Sequence, residues 1–239
     1  MSNALLEYLT KRMGVEHPFP DKKKHHGPLI TISRQVGCNA ENLANKIADR
    51  LNHRFLGPNW RVLSKEIFYK SAQDLDLHPE HVIRVFRHQE SYTLNDILNA
   101  FGTRKFKSER KVIKTVNEVI RSFAEEGFCI IVGRASNIIA SDIEHALHLR
   151  LIAPIEYRIK TIMENDQLNR EDAILYIEKL EKERRTFRKA LRKDAPDKDT
   201  FDVCINRASF EDEETIDLIE FAAEKKGIFR DLGKQIDFY

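Results

Sequence analysis

The sequence predicts an α/β fold in which a parallel β-sheet is flanked by helices. Four short runs are apolar or β-branched almost throughout, which is typical of strands covered on both faces. They are residues 28–33 (PLITIS), 128–133 (FCIIVG), 146–153 (ALHLRLIA) and 201–206 (FDVCIN). A weaker candidate strand lies at 59–64 (NWRVLS). Helical patterns separate most of these runs, and strands that alternate with helices indicate a doubly wound sheet.

Each predicted helix has apolar residues at the three- and four-residue spacing of one helix face. The first apolar stripe runs from Leu43 to Leu51, and a second follows Pro154, a residue type favoured at helix starts. A third helix is expected to begin near Asn169. The last helix is expected to follow Ser209, which we predict to cap it. These helices are the layers that would cover the sheet.

Residues 64–126 interrupt this alternation. They have the pattern of consecutive helices without a strong strand, so we expect a helical lobe inserted between two strands of the sheet. Residues 1–28, which include a basic tract, are expected to be an N-terminal extension and linker. The α/β domain is predicted to span 29–226, and 227–239 are predicted to form a C-terminal tail.

The composition favours a cytoplasmic globular protein. Hydrophobic residues make up 41% of the 239 residues, and 40 Lys and Arg nearly balance 38 Asp and Glu, which argues against a dedicated nucleic-acid binder. The three cysteines are odd in number, far apart and without metal-ligand spacing, so we expect a reducing compartment and no structural metal. No apolar run is long enough to span a membrane, and no secretory leader is predicted.

The turn after the first predicted strand has the form of a phosphate-binding loop without its usual lysine. A strand, a glycine-containing turn and a helix N-terminus form an anion site, because backbone N–H groups and the helix dipole face the ligand. In the common pattern GxxxxGK[ST], the lysine contacts the phosphates of the nucleotide. Gly37 can be aligned in two ways, and the lysine position then holds Ala40 or Leu43. An ordinary strand–turn–helix, capped by Asn39, is an alternative interpretation of this stretch.

Five segments along the chain carry motifs in a shared order and spacing. They are ITISRQVGCNAENLANKIADRLN (30–52), WRVLSKEIFYKSAQDL (60–75), IIVGRASNII (130–139), LHLRLIAPIEYRI (147–159), and KLEKERRTF followed by FDVCINRASFEDEETIDLI (179–187 and 201–219). Together they resemble the cytidylate kinase-like family, a branch of the P-loop nucleoside monophosphate kinases. The resemblance covers roughly residues 29–222.

The resemblance implies a P-loop NTPase-type parallel sheet of about five strands, flanked by helices. It also implies that 64–126 form a nucleoside-monophosphate-binding lobe and that 166–198 form a lid whose helix bears arginines. The implied reaction transfers the γ-phosphoryl group of ATP, with Mg²⁺, to a CMP-like nucleoside monophosphate. Arg134 falls where the family's arginine grips the acceptor's α-phosphate, and the expected catalytic arginines are Arg158, Arg184 and Arg188. The residues expected to contact the donor phosphates are Ser33, Arg34, Gly37, Cys38, Asn39, Ala40, Glu41 and Asn42.

The departures from the family are concentrated in the phosphate-binding loop. Asn39 and Ala40 replace two of the family's glycines, and Glu41 stands where the family has an arginine. A carboxylate repels a triphosphate unless it turns away or helps to hold Mg²⁺. Arg34 is a candidate replacement for the missing cation, and Lys46, one turn inside the helix, is a more distant one.

Two other functions therefore stay open. One is a nucleotide-binding or regulatory module of the same fold that transfers phosphate slowly or never. The other is an RNA or partner binder that would use the lysine tract and the basic helix at 178–193, which holds eight basic residues and three acidic ones. The near-neutral charge makes nucleic acid the weaker partner hypothesis. The sequence is compatible with a homodimer and does not determine the acceptor base.

Overall fold

The structure, a computed structural model of the chain, describes residues 27–63, 109–191, 201–230 and 232–234. Most of the predicted N-terminal extension and most of the predicted helical lobe, 64–108, lie outside the described residues. The same holds for 192–200, at the end of the predicted lid. The described part contains the sheet and the helices that position the candidate site.

A parallel sheet of five strands forms the centre of the molecule. The strands of the described part are β1 (Leu29–Arg34), β2 (Phe55–Leu56), β3 (Arg61–Leu63), β4 (Cys129–Val132), β5 (Ala146–Ile152), β6 (Val203–Asn206) and β7 (Gly233–Lys234). The sheet has the order β3-β4-β1-β5-β6, and every neighbouring pair in it is parallel. The predicted five-stranded parallel sheet is confirmed, and the weaker candidate at 59–64 supplies β3.

Helices cover the sheet. Those of the described part are α1 (Ala40–Arg54), α2 (Glu109–Glu126), α3 (Ser136–Ile139), α4 (Ile155–Asp166), α5 (Arg170–Leu191) and α6 (Asp212–Lys226). Helix α1 packs on β1, β3 and β4, and α6 packs on α1 and β5. The predicted cap of α6 is wrong: its N-cap is Glu211, not Ser209, and the Glu211 N–H donates to Glu214 Oε2 at 3.0 Å. None of these helices is long and apolar enough to cross a membrane.

Side chains alternate between the two faces of the central strands, as the pleat requires. On one face, Ile30 and Ile32 of β1 share an apolar cluster with buried residues of α1 and α6, among them Ile47 and Ile219. This cluster is the main core of the protein. The other face of β1 and β5 carries Thr31, Ser33, His148 and Arg150. The two faces of the same strands therefore differ in polarity.

Helices α4 and α5 form an antiparallel pair with an apolar cluster of its own. The helical members of the cluster are Ile159, Ile162, Ala173, Tyr176, Ile177 and Leu180. Val36, which lies in the turn after β1, is fully buried in the same cluster. The α4–α5 pair is therefore packed directly against the turn that the sequence singles out as the phosphate-binding loop.

Part of the stretch predicted to form a C-terminal tail packs against the core, at Ile228, Phe229 and Leu232. Strands β2 and β7 pair antiparallel in a ribbon separate from the main sheet. Ile228 and Phe229 are buried, and the Phe229 ring centroid lies 4.7 Å from that of Phe55 and 5.9 Å from that of Trp60. Aromatic contacts of this kind stabilise a fold beyond the area they bury. Two-residue strands leave no periodicity by which the ribbon could be predicted.

Candidate functional site

The candidate site lies where the order of the strands reverses. After β1 the chain crosses β4 to reach β3, and after β4 it crosses β1 to reach β5. Because such crossovers are right-handed, the two connections leave toward opposite faces of the sheet and open a crevice at the carboxyl ends of β1 and β4. The Gly133 N–H, just after β4, donates to the Ile32 carbonyl of β1 at 2.9 Å. The turns after β1 and β4 are therefore direct neighbours.

The turn after β1 is held from behind by α4 and α5. The Val36 N–H donates to Glu181 Oε1 of α5 at 2.8 Å, and the Val36 side chain is buried between the two helices. Gly37 has a φ of 85°, and a Cβ placed on it would lie 2.7 Å from the Arg158 carbonyl oxygen of α4. A side chain at position 37 would therefore clash with the backbone of α4 at Arg158, and this clash could be relieved only by moving the helix.

Arg158 lies behind this turn. Its Nε donates to the Ala153 carbonyl at 3.2 Å, and its Nη1 lies 3.6 Å from Glu181 Oε1. Only 12% of its side chain is exposed. These contacts tie α4 to α5 beneath the turn, and Arg158 does not line the cleft on the other side of it. A catalytic role of Arg158 stays a prediction, whereas its contacts with Ala153 and Glu181 give it a structural role.

A small cleft, open to solvent, lies at the front of the turn. It is lined by Arg34, Gln35, Gly37, Cys38, Asn39, Ala40, Glu41 and Arg184. Six of the eight residues expected to contact donor phosphates are therefore brought together. Ser33 faces the opposite side of the strand, and the exposed Asn42 does not line the cleft. Gln35 was not predicted; its Oε1 accepts the Ala153 N–H at 2.9 Å, a contact that no motif indicates.

Two guanidinium groups reach this cleft from different elements. Arg184 of α5 donates from Nη1 to the Arg34 carbonyl at 3.3 Å. The Arg34 side chain extends across the crevice, because a Cβ placed on Gly133 would lie 1.8 Å from Arg34 Nη1. The absence of a side chain at Gly133 is therefore what admits the Arg34 guanidinium. Arg188, one turn further along α5, is half-buried and does not line the cleft.

Helix α1 begins at the cleft. Its N-cap residue, Asn39, has left-handed backbone angles (φ 48°, ψ 41°), and its side chain makes no capping hydrogen bond. Asn39 is therefore the N-cap residue, as the ordinary interpretation expects, but its side chain does not supply the cap. Glu41 lies in the first turn, where a carboxylate stabilises a helix by interacting with the positive end of its dipole. This placement gives Glu41 a structural reason to be acidic.

The turn after β4 presents Arg134 at the edge of the crevice. Gly133, Arg134 and Ala135 have successive positive φ values of 75°, 56° and 53°. Left-handed angles cost about 1–2 kcal/mol for a residue with a side chain. The Ser136 N–H donates to the Gly133 carbonyl at 3.0 Å, which closes the turn. The half-buried Arg134 thus lies on a tightly wound segment rather than on an extended loop.

Lys46 does not serve the cleft. Its Nζ lies 2.6 Å from Asp212 Oδ2 at the start of α6, in a series of ion pairs that joins α1 to α6. Arg50 and Arg54 continue this series, with partners that include Glu220. The cations that face the cleft are therefore arginines, in the part of the chain that the structure describes.

Cys38 is a neutral thiol near neutral pH. A position next to a helix N-terminus lowers a thiol pKa, but burial raises the pKa of Cys38 to about 11, against the opposing charge of Arg158. Cys38 is therefore a packing residue of the loop and not a nucleophile. Within the described ranges, no group of three or more His, Cys, Asp or Glu side chains could hold a metal ion by itself.

Comparison with known proteins identifies the family. A sequence model of the cytidylate kinase-like family matches residues 29–209, which is most of the chain. The chain belongs to the cytidylate kinase-like family. This membership confirms the resemblance seen in the five collinear segments. No curated protein matches the sequence.

Solved structures share the fold of this family member at low sequence identity. An uncharacterized protein from Eubacterium ventriosum is 20% identical, with a TM-score of 0.58, over 82% of this chain and 98% of that one. TT1252 from Thermus thermophilus is 15% identical (TM-score 0.41; 83% and 98% covered), and dephospho-CoA kinase from Campylobacter jejuni is 13% identical (TM-score 0.35; 83% and 98% covered). At these identities the likeness concerns the fold alone, and the first structure supports it.

Proposed function

We propose that the protein is a nucleotide kinase that transfers the γ-phosphoryl group of Mg-ATP to a CMP-like nucleoside monophosphate. One observation carries the proposal. The loop after β1 lacks the usual lysine, yet Arg34 and Arg184 line the same cleft as the N-terminus of α1. A helix N-terminus with two guanidinium groups suits a phosphate chain, because it combines backbone N–H donors with fixed positive charge.

The arginines act on charge that develops during transfer. In phosphoryl transfer the negative charge spreads over the oxygens of the moving group, and catalysis consists mainly of positioning and neutralising that charge. Arg34 holds the donor from the sheet side, and Arg184 approaches from the α4–α5 pair. Removal of one such donor in a preorganised site typically costs about 10²–10³ in rate.

The cleft also fits the metal that the reaction uses. Mg²⁺ is commonly held by one or two carboxylates together with substrate phosphates. Glu41 is the carboxylate among the residues that line the cleft in the described part of the chain. It would hold the ion beside the donor phosphates, where Mg²⁺ supplies charge neutralisation. Glu41 would then be an alternative to the family's arginine and not a defect.

Arg134 would bind the acceptor. It sits at the carboxyl end of β4, at the edge of the crevice, where open α/β sheets bind ligands. The acceptor phosphate is already an anionic nucleophile, so no general base is required. Gripping and orienting the acceptor is the contribution that we assign to Arg134.

A nucleotide-binding module without chemistry is the second candidate. The observation that favours it is the Glu41 carboxylate in the cleft, which would repel a triphosphate in the absence of Mg²⁺. The double variant Ala40→Gly/Glu41→Arg separates the two candidates. A natural activity that this variant does not improve supports the kinase, and turnover that appears only in the variant supports the module.

The deciding experiment measures ADP release with Mg-ATP and one acceptor at a time: CMP, dCMP, UMP, AMP, GMP or none. We expect acceptor-dependent turnover of about 1 s⁻¹ or more, within the normal enzymatic range, and highest with a cytidine nucleotide. Arg184→Gln should lower kcat/KM by about 100-fold. Arg170→Gln is the matched control, because Arg170 lies on the same helix in an exposed ion pair with Glu156.

The absence of acceptor-dependent turnover with every nucleotide, in protein shown to be folded, would contradict the proposed function. Equal losses in Arg184→Gln and Arg170→Gln would contradict the role of Arg184. The free state of all three cysteines fits a reducing compartment, and we infer that the enzyme works in the cytoplasm.

A further inference from the structure

A second group of polar side chains lies on the face of β1 opposite the donor cleft. Arg150 of β5 donates from Nη1 to Ser33 Oγ at 2.8 Å. The Arg150 guanidinium carbon also lies 5.8 Å from the centre of the Phe201 ring, within the range of a cation–π contact. Strand register pairs Ser33 directly with Arg150. The guanidinium is therefore held in one position by a neighbouring strand and an aromatic ring.

Arg150 has no carboxylate partner among the residues that the structure describes. Other arginines of the described part do: Arg61 pairs with Glu126, and Arg207 with Asp212. Asp202, which follows Phe201 in the chain, is already engaged, since Lys226 Nζ lies 2.5 Å from its Oδ2. A half-buried guanidinium held by a hydroxyl and an aromatic ring keeps N–H donors and a positive charge that can bind an anion.

The surroundings of Arg150 are accessible. Cys204 of β6 pairs with Arg150 in the sheet register, so their side chains lie side by side on the same face. Cys204 is exposed. Arg150 itself is half-buried and not fully enclosed, and it lies near the carboxyl end of the central strands, where open α/β sheets bind ligands.

We infer that Arg150 and Ser33 form a second phosphate site, which binds the phosphate of the acceptor nucleotide. The inference rests on the proposed function, because phosphoryl transfer needs two anion sites. Ser33 and Arg34 are successive strand residues, so their side chains project to opposite faces. Both residues end β1, so the two sites lie at the same edge of the sheet: Arg34 serves the donor cleft, and Arg150 would hold the acceptor phosphate together with Arg134. A planar guanidinium on a phosphate monoester forms paired, charge-assisted hydrogen bonds.

The first test uses Cys204 as a reporter and needs no turnover. The chain has three cysteines. Cys38 and Cys129 are buried, with pKa values raised by burial to about 11 and about 12, so Cys204 is the thiol that a soluble alkylating reagent reaches at pH 7.5. We expect the preferred nucleoside monophosphate from the ADP-release panel, or CMP if none turns over, to slow Cys204 alkylation about fivefold or more. ATP alone should not slow it.

The second test measures how variants bind each substrate. Arg150→Gln should remove the protection and raise KM for the acceptor about tenfold or more, while KM for ATP stays within about twofold. Arg150→Lys keeps the charge, guards against a folding defect and should recover part of the affinity. Ser33→Ala should raise the acceptor KM about threefold. Arg170→Gln is again the control, and it should change neither the protection of Cys204 nor the KM for either substrate.

The outcomes separate this inference from the proposed function. Protection of Cys204 by a nucleoside monophosphate, lost in Arg150→Gln, supports the site even if the protein shows no turnover. Turnover whose KM values are the same in Arg150→Gln and in the natural protein overturns the site and leaves the kinase intact. Protection by ATP instead of the monophosphate, or by none of the nucleotides, also overturns the inference.

Discussion

The turns after β1 and β4 have nearly the same backbone at the point where a helix begins, yet they are stabilised differently. Asn39 (φ 48°, ψ 41°) and Ala135 (φ 53°, ψ 29°) are the two N-cap residues, and neither makes a side-chain capping hydrogen bond. The turn after β1 is held by other elements, through Val36, Gly37 and Glu181. The turn after β4 is closed by its own backbone hydrogen bonds.

This difference explains why the first turn tolerates substitutions in its motif. Ala40 stands where the family has a glycine, but it is the first residue of α1 and packs in the main core. Helical angles suit alanine, so the replacement brings no backbone strain. The shape of the turn depends on Gly37 and on the α4–α5 pair, which are unaffected by the change. The turn can thus lose glycines of the motif and keep its backbone geometry, because residues of α4 and α5 hold it in place.

The largest expected effect follows from Gly37→Ala. The new Cβ would lie 2.7 Å from the Arg158 carbonyl oxygen at a φ of 85°. Backbone strain and overpacking together should lower the free energy of unfolding by about 3 kcal/mol. The midpoint of urea unfolding measures the loss. Gly233→Ala is the control, since its Cβ would make an ordinary 3.6 Å contact with Leu56 and should change stability by less than about 0.5 kcal/mol. Similar midpoints for both variants would show that the turn is not held by α4.

In the second turn, Gly133→Ala should lower activity as well as stability, because position 133 also has a positive φ, of 75°. The added Cβ would overlap Arg34 Nη1, and the guanidinium would be displaced from the crevice because it is the end of a flexible side chain. We expect kcat/KM for ATP to fall about 100-fold, as for the loss of one charge-stabilising donor. Arg34→Ala should have a similar effect, and the double variant Gly133→Ala/Arg34→Ala should lose no more than either alone. Additive losses in the double variant would contradict the proposed dependence of Arg34 on Gly133.

The smallest effect is expected at Asn39. Asn39→Ala should lower the free energy of unfolding by about 1 kcal/mol, because alanine tolerates left-handed angles less well than asparagine. Asn39→Gly should be within about 0.5 kcal/mol of the natural protein. Thermal unfolding of the three proteins, monitored by circular dichroism, checks the order. A loss of about 1 kcal/mol in Asn39→Gly as well would mean that contacts of the side chain, and not the backbone angles, matter.

Much of the fold could be predicted from local pattern. The strands that form β1, β4, β5 and β6 are short apolar runs, and even the weaker run that contains Val62 belongs to the sheet. The β2–β7 ribbon was missed because it pairs two strands of two residues each that lie about 180 positions apart in the sequence. Long-range pairs of this size leave no local signal.

Of the candidate site, the sequence indicated the loop, and the family resemblance indicated Arg184, but neither indicated the contacts behind the loop. Arg34 and Gly37 could be chosen because a strand and a helix flank them. That Arg158 lies behind the loop, and that Lys46 is paired with Asp212, are facts of packing between distant elements. The apolar strand around Arg150 did contain a signal, because a charged residue in a buried strand is uncommon.

The sequence by itself determined the order of strands and helices, the family, and the chemical character of the loop after β1. Hydrophobic periodicity and local motifs depend on residues that are close in the sequence, so they can be recognised before the fold is known. The tertiary structure alone decided which arginines meet. Arg34 and Arg184 share a cleft, and Arg150 faces the other side, because the crossovers and the pleat of the sheet set the direction of each side chain.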